Sequence, residues 1–205
     1  MDIFEKIRTI GLVPVITLHD ESETGPVIEA LIEGDLPVAE ICYRTPCAGS
    51  CLRLAVSRYP DVLVGAGTVI NAAQCREAIG TGARFIVSPG FSPAVAAECA
   101  ASGIPYLPGV VTPTEIMQAL DAGLTHLKFF PAGVYGGLNA IKALSAAFPQ
   151  CEFLPTGGVD NGNLPQFIAN NKILACGGSW LVKGSPEQIV KTCREARSIV
   201  REARG

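Results

Sequence analysis

The sequence predicts an α/β fold in which eight β/α units close into a (β/α)8 TIM barrel. Apolar runs rich in β-branched residues recur at intervals of about 20–26 residues, and each is followed by a segment of helical periodicity. Runs that are apolar at nearly every position indicate strands buried on both faces, as in a parallel sheet covered by helices. A length of 205 residues suits a small barrel of this kind. An open, doubly wound sheet is the alternative that the same pattern allows.

The eight predicted strands follow one another along the whole chain. They are residues 13–18, 38–43, 62–68, 85–89, 106–110, 126–131, 152–158 and 173–178. Helical segments such as 71–79 and 113–120 lie between them, with their apolar residues on one face. No interdomain linker interrupts the alternation, so we expect a single barrel domain over residues 1–205.

Further helices are predicted at both ends of the chain. Asp2 and Gly11 are suited to begin and end a helix with one apolar face, and we expect this helix to close the bottom of the barrel. At the other end, apolar residues recur on one face from Ile189 to Val200, opposite a basic face. We interpret this segment as a solvated outer helix, with a membrane-surface helix as the alternative.

The composition excludes several classes of function. The net charge is −3 and the sequence contains no Lys/Arg cluster, so nucleic acid is not an expected partner. No run approaches the roughly 18 apolar residues that a transmembrane helix needs. Residues 1–6 do not resemble a signal peptide. We therefore expect a soluble, cytoplasmic protein with no membrane partner.

Eight cysteines are present, but they form no tight framework. Several lie in apolar segments, where a reduced cysteine behaves as a small hydrophobic residue. The chain has two histidines and no Cys-x-x-Cys pair, so a zinc site is not expected. The sequence predicts neither a metal nor another cofactor.

Lys128 stands out because it lies in the middle of the apolar run 125–131. A buried ammonium loses several kcal/mol of hydration unless it is paired or deprotonated. Burial favours the neutral form of a lysine amine, which attacks a ketone to form a Schiff base. A structural lysine that is paired with a carboxylate is the alternative.

Other polar side chains are predicted at the same mouth of the barrel, where the strands end. Glu40 and Arg44 share one face of the second strand, Thr68 ends the third, and Lys128 shares a face with Phe130. An amine, a carboxylate, a guanidinium and a hydroxyl together suit a 2-keto acid. Lysine would bind the ketone, arginine and threonine the carboxylate, and glutamate would move protons.

Each of these residues also has a structural interpretation. Glu40 is a natural counter-ion for Lys128, which is compatible with a catalytic role. Arg44 would otherwise be a surface residue beyond its strand, and Thr68 the N-cap of the next helix.

Two glycine pairs end the last two predicted strands, at residues 157–158 and 177–178. Glycines at these places in a barrel let bare backbone N–H groups face an anion, and they predict a phosphate site. Ordinary tight turns are the alternative.

Five motifs along the chain resemble those of the bifunctional KDPG/KHG aldolases, which cleave 2-keto-3-deoxy-6-phosphogluconate and 4-hydroxy-2-oxoglutarate. They occur in order between about Val13 and Trp180, and they are residues 65–69, 88–90, 128–132, 155–158 and 177–180. The resemblance implies a class I aldolase, a carbon–carbon lyase that forms a Schiff base without a metal. It also implies a homotrimer, and cleavage of the phosphorylated keto acid to pyruvate and glyceraldehyde 3-phosphate.

The resemblance also implies roles for individual residues. Lys128 matches the Schiff-base lysine and Glu40 the general acid/base. The substrate-binding positions are Arg44 and Thr68 at the pyruvate carboxylate, Pro89 and Phe130 in the pocket wall, and Thr156 near the hydroxyl-bearing carbons. The phosphate-binding positions are Gly157, Gly158, Gly178 and Ser179.

The chain departs from the family pattern in two loops near the mouth. Residues 45–51 lack the acidic residue expected near position 46, and residues 132–137 differ in their middle. These departures concern the breadth of substrates. The rival hypothesis is a phosphate-binding barrel that is not an aldolase, either an isomerase or synthase or a phosphometabolite binder, with Lys128 and Glu40 as a buried ion pair.

Overall fold

The structure is a computed structural model that describes residues 2–205. Within this range, strands and helices alternate. The strands are β1 (Leu12–Ile16), β2 (Val38–Cys42), β3 (Leu63–Gly67), β4 (Ile86–Val87), β5 (Tyr106–Leu107), β6 (Gly109–Val110), β7 (His126–Phe129), β8 (Glu152–Pro155) and β9 (Cys176–Gly178). The helices are α1 (Ile3–Ile10), α2 (Thr24–Glu33), α3 (Ala48–Arg58), α4 (Ala72–Thr81), α5 (Pro93–Ser102), α6 (Pro113–Asp121), α7 (Gly137–Ala147), α8 (Leu164–Ile168) and α9 (Pro186–Arg204). Short 3₁₀ helices occupy Glu21–Glu23 and Ser179–Val182.

The sheet pairing is parallel throughout, but it does not form one closed eight-stranded barrel, and that prediction is wrong. In the described residues the strands form a six-stranded sheet, in the order β5-β4-β3-β2-β1-β9, and a three-stranded sheet, β6-β7-β8. Pro108 separates β5 from β6, and because a proline has no backbone N–H it cannot continue a ladder on both sides. At the other boundary, between β8 and β9, the described residues form no continuous ladder. Two isolated bridges, Phe153↔Ile173 and Thr156↔Gly177, link the two strands and the residues next to them.

Local sequence explains where the helices begin. Asn71, Ser92, Thr112 and Ser185 are N-caps of α4, α5, α6 and α9, and each side chain accepts a hydrogen bond from a backbone N–H of the first turn. A proline occupies the first turn of α5, α6 and α9, where its missing N–H costs nothing. These caps fix the loops that carry the ends of the strands.

The N-terminal helix α1 is present, with Asp2 as its N-cap and Gly11 in the left-handed conformation that ends it. It covers the amino ends of β7 and β8 instead of closing a barrel. Phe4 stacks on His126, with ring centroids 4.0 Å apart, and Arg8 pairs with Glu152. The opposite, carboxyl ends of the strands are left open.

The C-terminal helix α9 packs mainly against α2 and α8 through its buried residues, which include Ile189 and Val200. Arg197 and Arg204 donate hydrogen bonds to carbonyl groups at the end of α1. Over residues 2–205, no helix is both long enough and apolar enough to cross a membrane.

Candidate active site

Lys128 and Glu40 meet in the interior, although their strands belong to different sheets. Lys128 Nζ lies 3.1 Å from Glu40 Oε1, and the two residues are 2% and 0% exposed. The other carboxylate oxygen, Glu40 Oε2, is also buried and has no hydrogen-bond partner in the described part of the chain. A buried ion pair with an unused acceptor is costly for a purely structural contact, since buried carboxylates normally satisfy both oxygens.

A glycine on β3 makes room for this pair. In the β2–β3 ladder Glu40 pairs with Gly65 and Cys42 with Gly67. A Cβ would meet the Phe85 ring at Gly65 but the Glu40 side chain at Gly67. A Cβ at Gly67 would lie 2.5 Å from Glu40 Cγ and 2.8 Å from its Cδ. This close approach shows that Gly67 accommodates the Glu40 side chain.

Arg44 and Thr68 lie side by side just beyond β2 and β3. Arg44 is exposed, and its Nε donates a hydrogen bond of 2.9 Å to Thr68 Oγ1. Thr68 is not a helix N-cap, because Asn71 caps α4. Its φ of 55° is left-handed, which is strained for a β-branched residue and typical of functional positions.

The position of Thr68 does not follow from strand alternation. Val64 and Ala66 alternate with Gly65 and Gly67, so they point away from Glu40. Thr68 would follow them if the strand continued, but the left-handed φ breaks the alternation. Backbone conformation therefore brings the hydroxyl to Arg44, and strand periodicity does not.

Cys42 is a site residue that the sequence did not single out. It is fully buried, and its Sγ lies 3.9 Å from Glu40 Oε1. Burial and the Glu40 carboxylate raise the pKa of this thiol to about 11, so it remains protonated at neutral pH. Its position between Glu40 and Arg44 on the same strand face was the available signal.

Three further predicted residues lie on segments next to the pair, and one of them, Phe130, contacts the amine. Phe130 places its ring centroid 5.3 Å from Lys128 Nζ. Thr156 is buried one residue beyond β8 and bridges Gly177. Pro89 packs its carbonyl against Gly109, which in turn pairs with Lys128 in the β6–β7 ladder. These positions are consistent with a wall around the amine.

The predicted phosphate-binding residues fall in two loops at the same end of the sheets. Gly157 and Gly158 have φ values of 82° and 87°, which favour glycine. Gly178 ends β9, and Ser179 begins a 3₁₀ helix with its side chain exposed. The bridge between Thr156 and Gly177 brings the two loops together. Within residues 2–205, none of these four residues forms a hydrogen bond with Lys128.

No group of three or more His, Cys, Asp or Glu side chains suited to a metal occurs among residues 2–205. The eight cysteines are free thiols, seven of them buried. The site therefore consists of an amine, a carboxylate, a guanidinium, a hydroxyl and bare backbone. A buried, carboxylate-paired lysine at the carboxyl ends of parallel strands defines an α/β protein with the parts of an imine-forming lyase.

Comparison with known proteins identifies the family. The family model described as KDPG and KHG aldolase matches residues 3–193, and the chain belongs to this family. Its members are aldolases, which are carbon–carbon lyases.

Individual relatives agree with this assignment. A 2-dehydro-3-deoxy-phosphogluconate aldolase of Treponema pallidum is 41% identical over 180 residues, which cover 88% of this chain and 86% of that protein. The crystal structure of the Zymomonas mobilis 2-keto-3-deoxy-6-phosphogluconate aldolase with 3-phosphoglycerate has a TM-score of 0.91 at 36% identity and covers 96% of both chains. A Legionella pneumophila KDPG aldolase, with pyruvate captured as a covalent carbinolamine intermediate, has a TM-score of 0.86 at 35% identity and covers 99% and 98% of the two chains.

Proposed function

We propose that this protein is a class I aldolase that cleaves 2-keto-3-deoxy-6-phosphogluconate to pyruvate and glyceraldehyde 3-phosphate. We extend the proposal to cleavage of 4-hydroxy-2-oxoglutarate to pyruvate and glyoxylate. The observation that carries the proposal is the buried pair of Lys128 and Glu40, with 3.1 Å between amine and carboxylate. The Legionella relative, which holds pyruvate as a covalent carbinolamine, supports the same chemistry.

Substrate binding follows from the neighbouring groups. The Arg44 guanidinium and the Thr68 hydroxyl, which already contact each other, bind the C1 carboxylate and bring the C2 ketone to Lys128. Phe130, Pro89 and Thr156 enclose the carbons that react. The N–H groups around Gly157, Gly158, Gly178 and Ser179 bind the phosphate at the far end.

The covalent steps use Lys128 as nucleophile and Glu40 as proton carrier. Glu40 takes a proton from the Lys128 ammonium, and the free amine attacks C2 to give a carbinolamine. The protonated Glu40 returns that proton to the carbinolamine hydroxyl, which leaves as water, and a cationic imine forms. Glu40 accepts the proton of the C4 hydroxyl, the C3–C4 bond breaks, and its electrons pass into the imine to give an enamine and the aldehyde. The enamine is protonated at C3, and water then releases pyruvate and the free amine. The Glu40 carboxylate stabilises the cationic imine until it accepts the C4 hydroxyl proton, and the protonated Glu40 then supplies the proton that C3 of the enamine takes up.

Borohydride trapping tests this proposal. The intact protein is incubated with pyruvate and sodium borohydride, and the modified peptide is located by mass spectrometry. We expect one reduced pyruvyl adduct, on Lys128. Lys128→Met, a linear replacement of similar length, should remain folded but lose both the adduct and turnover. Lys191→Met, on the exposed face of α9, is the matched control and should retain both.

The absence of an adduct on folded wild-type protein would contradict the Schiff-base mechanism. The remaining hypothesis would then be a phosphate-binding protein in which Lys128 and Glu40 form only an ion pair. Tight binding of a sugar phosphate without turnover would support it.

We further propose that residues 1–205 act as one catalytic domain, in the cytoplasm, as a homotrimer. Exposed apolar residues near the mouth, Ile70, Val134 and Tyr135, offer surface for association. Sedimentation equilibrium tests the trimer, and a concentration-independent monomer would contradict it.

A further inference from the structure

The two loops that carry the predicted phosphate site lie across a weak boundary between the sheets. β8 belongs to the three-stranded sheet and β9 to the six-stranded sheet, and single bridges such as Thr156↔Gly177 are their backbone link in the described residues. A continuous ladder would fix the distance between the loops after these strands. Here that distance depends on side chains.

Trp180 contacts both loops. Its indole Nε1 donates a hydrogen bond of 2.9 Å to Asn161 Oδ1 in the loop after β8. Its ring lies so close to Gly178 that a Cβ at that residue would overlap the ring carbons. The indole is half-buried, so this hydrogen bond is partly shielded from water.

A short hydrogen-bond network links the turn that contains Asn161 to Gly158. Asp160 Oδ1 accepts hydrogen bonds from the backbone N–H groups of Gly162 and Asn163, at 2.8 and 3.1 Å. Asn163 Nδ2 then donates to the carbonyl of Gly158 at 2.9 Å. These bonds hold the turn that carries Gly157 and Gly158, and Trp180 contacts the same turn at Asn161, which lies between Asp160 and Gly162.

We infer that the hydrogen bond between Trp180 and Asn161 is a positioning device for the phosphate of the substrate. It sets the spacing between the two glycine loops so that their N–H groups converge on one phosphate. The inference rests on the proposed aldolase function and concerns its selectivity for phosphorylated keto acids. Neither side chain is required for imine formation at Lys128.

The test compares two substrates of the same protein. Trp180→Phe keeps a ring against Gly178 but removes the donor, and Asn161→Ala removes the acceptor. For each variant we expect KM for 2-keto-3-deoxy-6-phosphogluconate to rise about threefold to tenfold, the worth of one hydrogen bond. kcat and the KM for 4-hydroxy-2-oxoglutarate, which has no phosphate, should stay within twofold of wild type by the same reasoning. Asn171→Ala, at an exposed loop asparagine, is the control.

A double-mutant cycle separates the hydrogen bond from other effects. Both substitutions break the bond between Trp180 and Asn161, and Asn161→Ala also removes a contact of 3.4 Å from Asn161 Nδ2 to Glu195 Oε2. The double variant should therefore be no worse than Asn161→Ala alone. Glu195→Ala removes only the second contact and should leave KM for both substrates unchanged. Additive losses, or equal rises in KM for both substrates, would overturn the inference. Asn161→Ala leaves the indole in place, so it decides the matter if Trp180→Phe does not fold.

Trp180 is the single tryptophan of the chain, which provides a direct reading of binding. Titration with glycerol 3-phosphate should change its fluorescence to saturation, and glycerol should not. In Asn161→Ala the apparent Kd should rise about threefold to tenfold. An unchanged Kd would overturn the inference. Failure of the proposed function would be seen separately, as absence of the borohydride adduct in wild type.

Discussion

Gly67 faces Glu40 across the β2–β3 ladder, and only a residue without a side chain fits there. A Cβ at position 67 would lie within 2.5 Å of Glu40 Cγ, so the whole carboxylate side chain would have to move. Glu40 is held on its other side by Lys128, 3.1 Å away. The glycine therefore determines where the proton carrier sits relative to the amine.

Gly67→Ala should accordingly damage catalysis more than stability. A displacement of about 1 Å at a reacting group costs on the order of a hundredfold in rate, and we expect kcat to fall by about that factor. Gly80→Ala is the matched control, because a Cβ at that helical position meets no atom within 4 Å. It should leave kcat unchanged and stabilise the protein by up to about 1 kcal/mol. Equal kcat values for the two variants would contradict the role assigned to Gly67.

Glu40→Gln tests the proton carrier itself. The amide keeps the shape of the side chain but cannot accept a proton, so we expect kcat to fall by roughly 10²- to 10⁴-fold. Pyruvate trapping at Lys128 should still occur, more slowly, since the nucleophile remains. Turnover close to the wild-type rate, with the same pH profile, would show that Glu40 is only a counter-ion.

Thr68 combines a left-handed backbone with a hydroxyl that contacts Arg44. Thr68→Gly relieves the strain but removes the hydroxyl, so we expect equal or greater thermal stability together with a higher KM for the keto acid. Thr68→Ser keeps the hydroxyl and should retain the wild-type KM. The measurements are thermal unfolding and steady-state kinetics. A loss of stability in Thr68→Gly would mean that the conformation is not strained.

The chemical groups of the site could be predicted from the sequence because each carries a local signal. The signals are a lysine in an apolar strand, and Glu40 and Arg44 four positions apart on one face of another strand. The phosphate-binding role of the glycine pairs stays a prediction. The closure of the sheet was predicted wrongly. Pairing between strands is non-local, and the interruption at Pro108 and the isolated bridges near Thr156 leave little trace in periodicity. The sequence predicted Thr68 at the mouth with Arg44, but it gave no sign of the left-handed φ of 55° that brings the hydroxyl there.

Cysteine reactivity offers a test of the interior. Burial and the Glu40 carboxylate raise the pKa of Cys42 to about 11, and burial raises the pKa of Cys193 to about 12. Cys47 is partly exposed at the start of α3. Since the thiolate is the reactive form, iodoacetamide at pH 8 should label Cys47 first and Cys42 only after unfolding. Peptide mapping over time measures this order, and Cys47→Ser should remove the fast phase. Labelling of Cys42 in folded protein at the rate of Cys47 would contradict the burial of the site.

His126 should make the stability of the protein sensitive to mild acid. It stacks on Phe4 and lies 3.2 Å from Glu152, and burial, the largest cause, lowers its pKa below the ordinary value of 6.5. In the window just below pH 6.5 the unfolded chain therefore binds more protons than the folded chain, so the free energy of unfolding falls as the pH falls. His126→Phe keeps the stacking but cannot titrate. It should flatten the pH dependence of the free energy of unfolding around pH 6.5, where free histidine titrates. Urea unfolding at pH values between about 5.5 and 7.5 measures this. His19→Phe, at the exposed second histidine, is the control and should keep the wild-type slope. If the free energy of unfolding of both variants falls with falling pH as steeply as that of wild type, the acid sensitivity arises from groups other than His126.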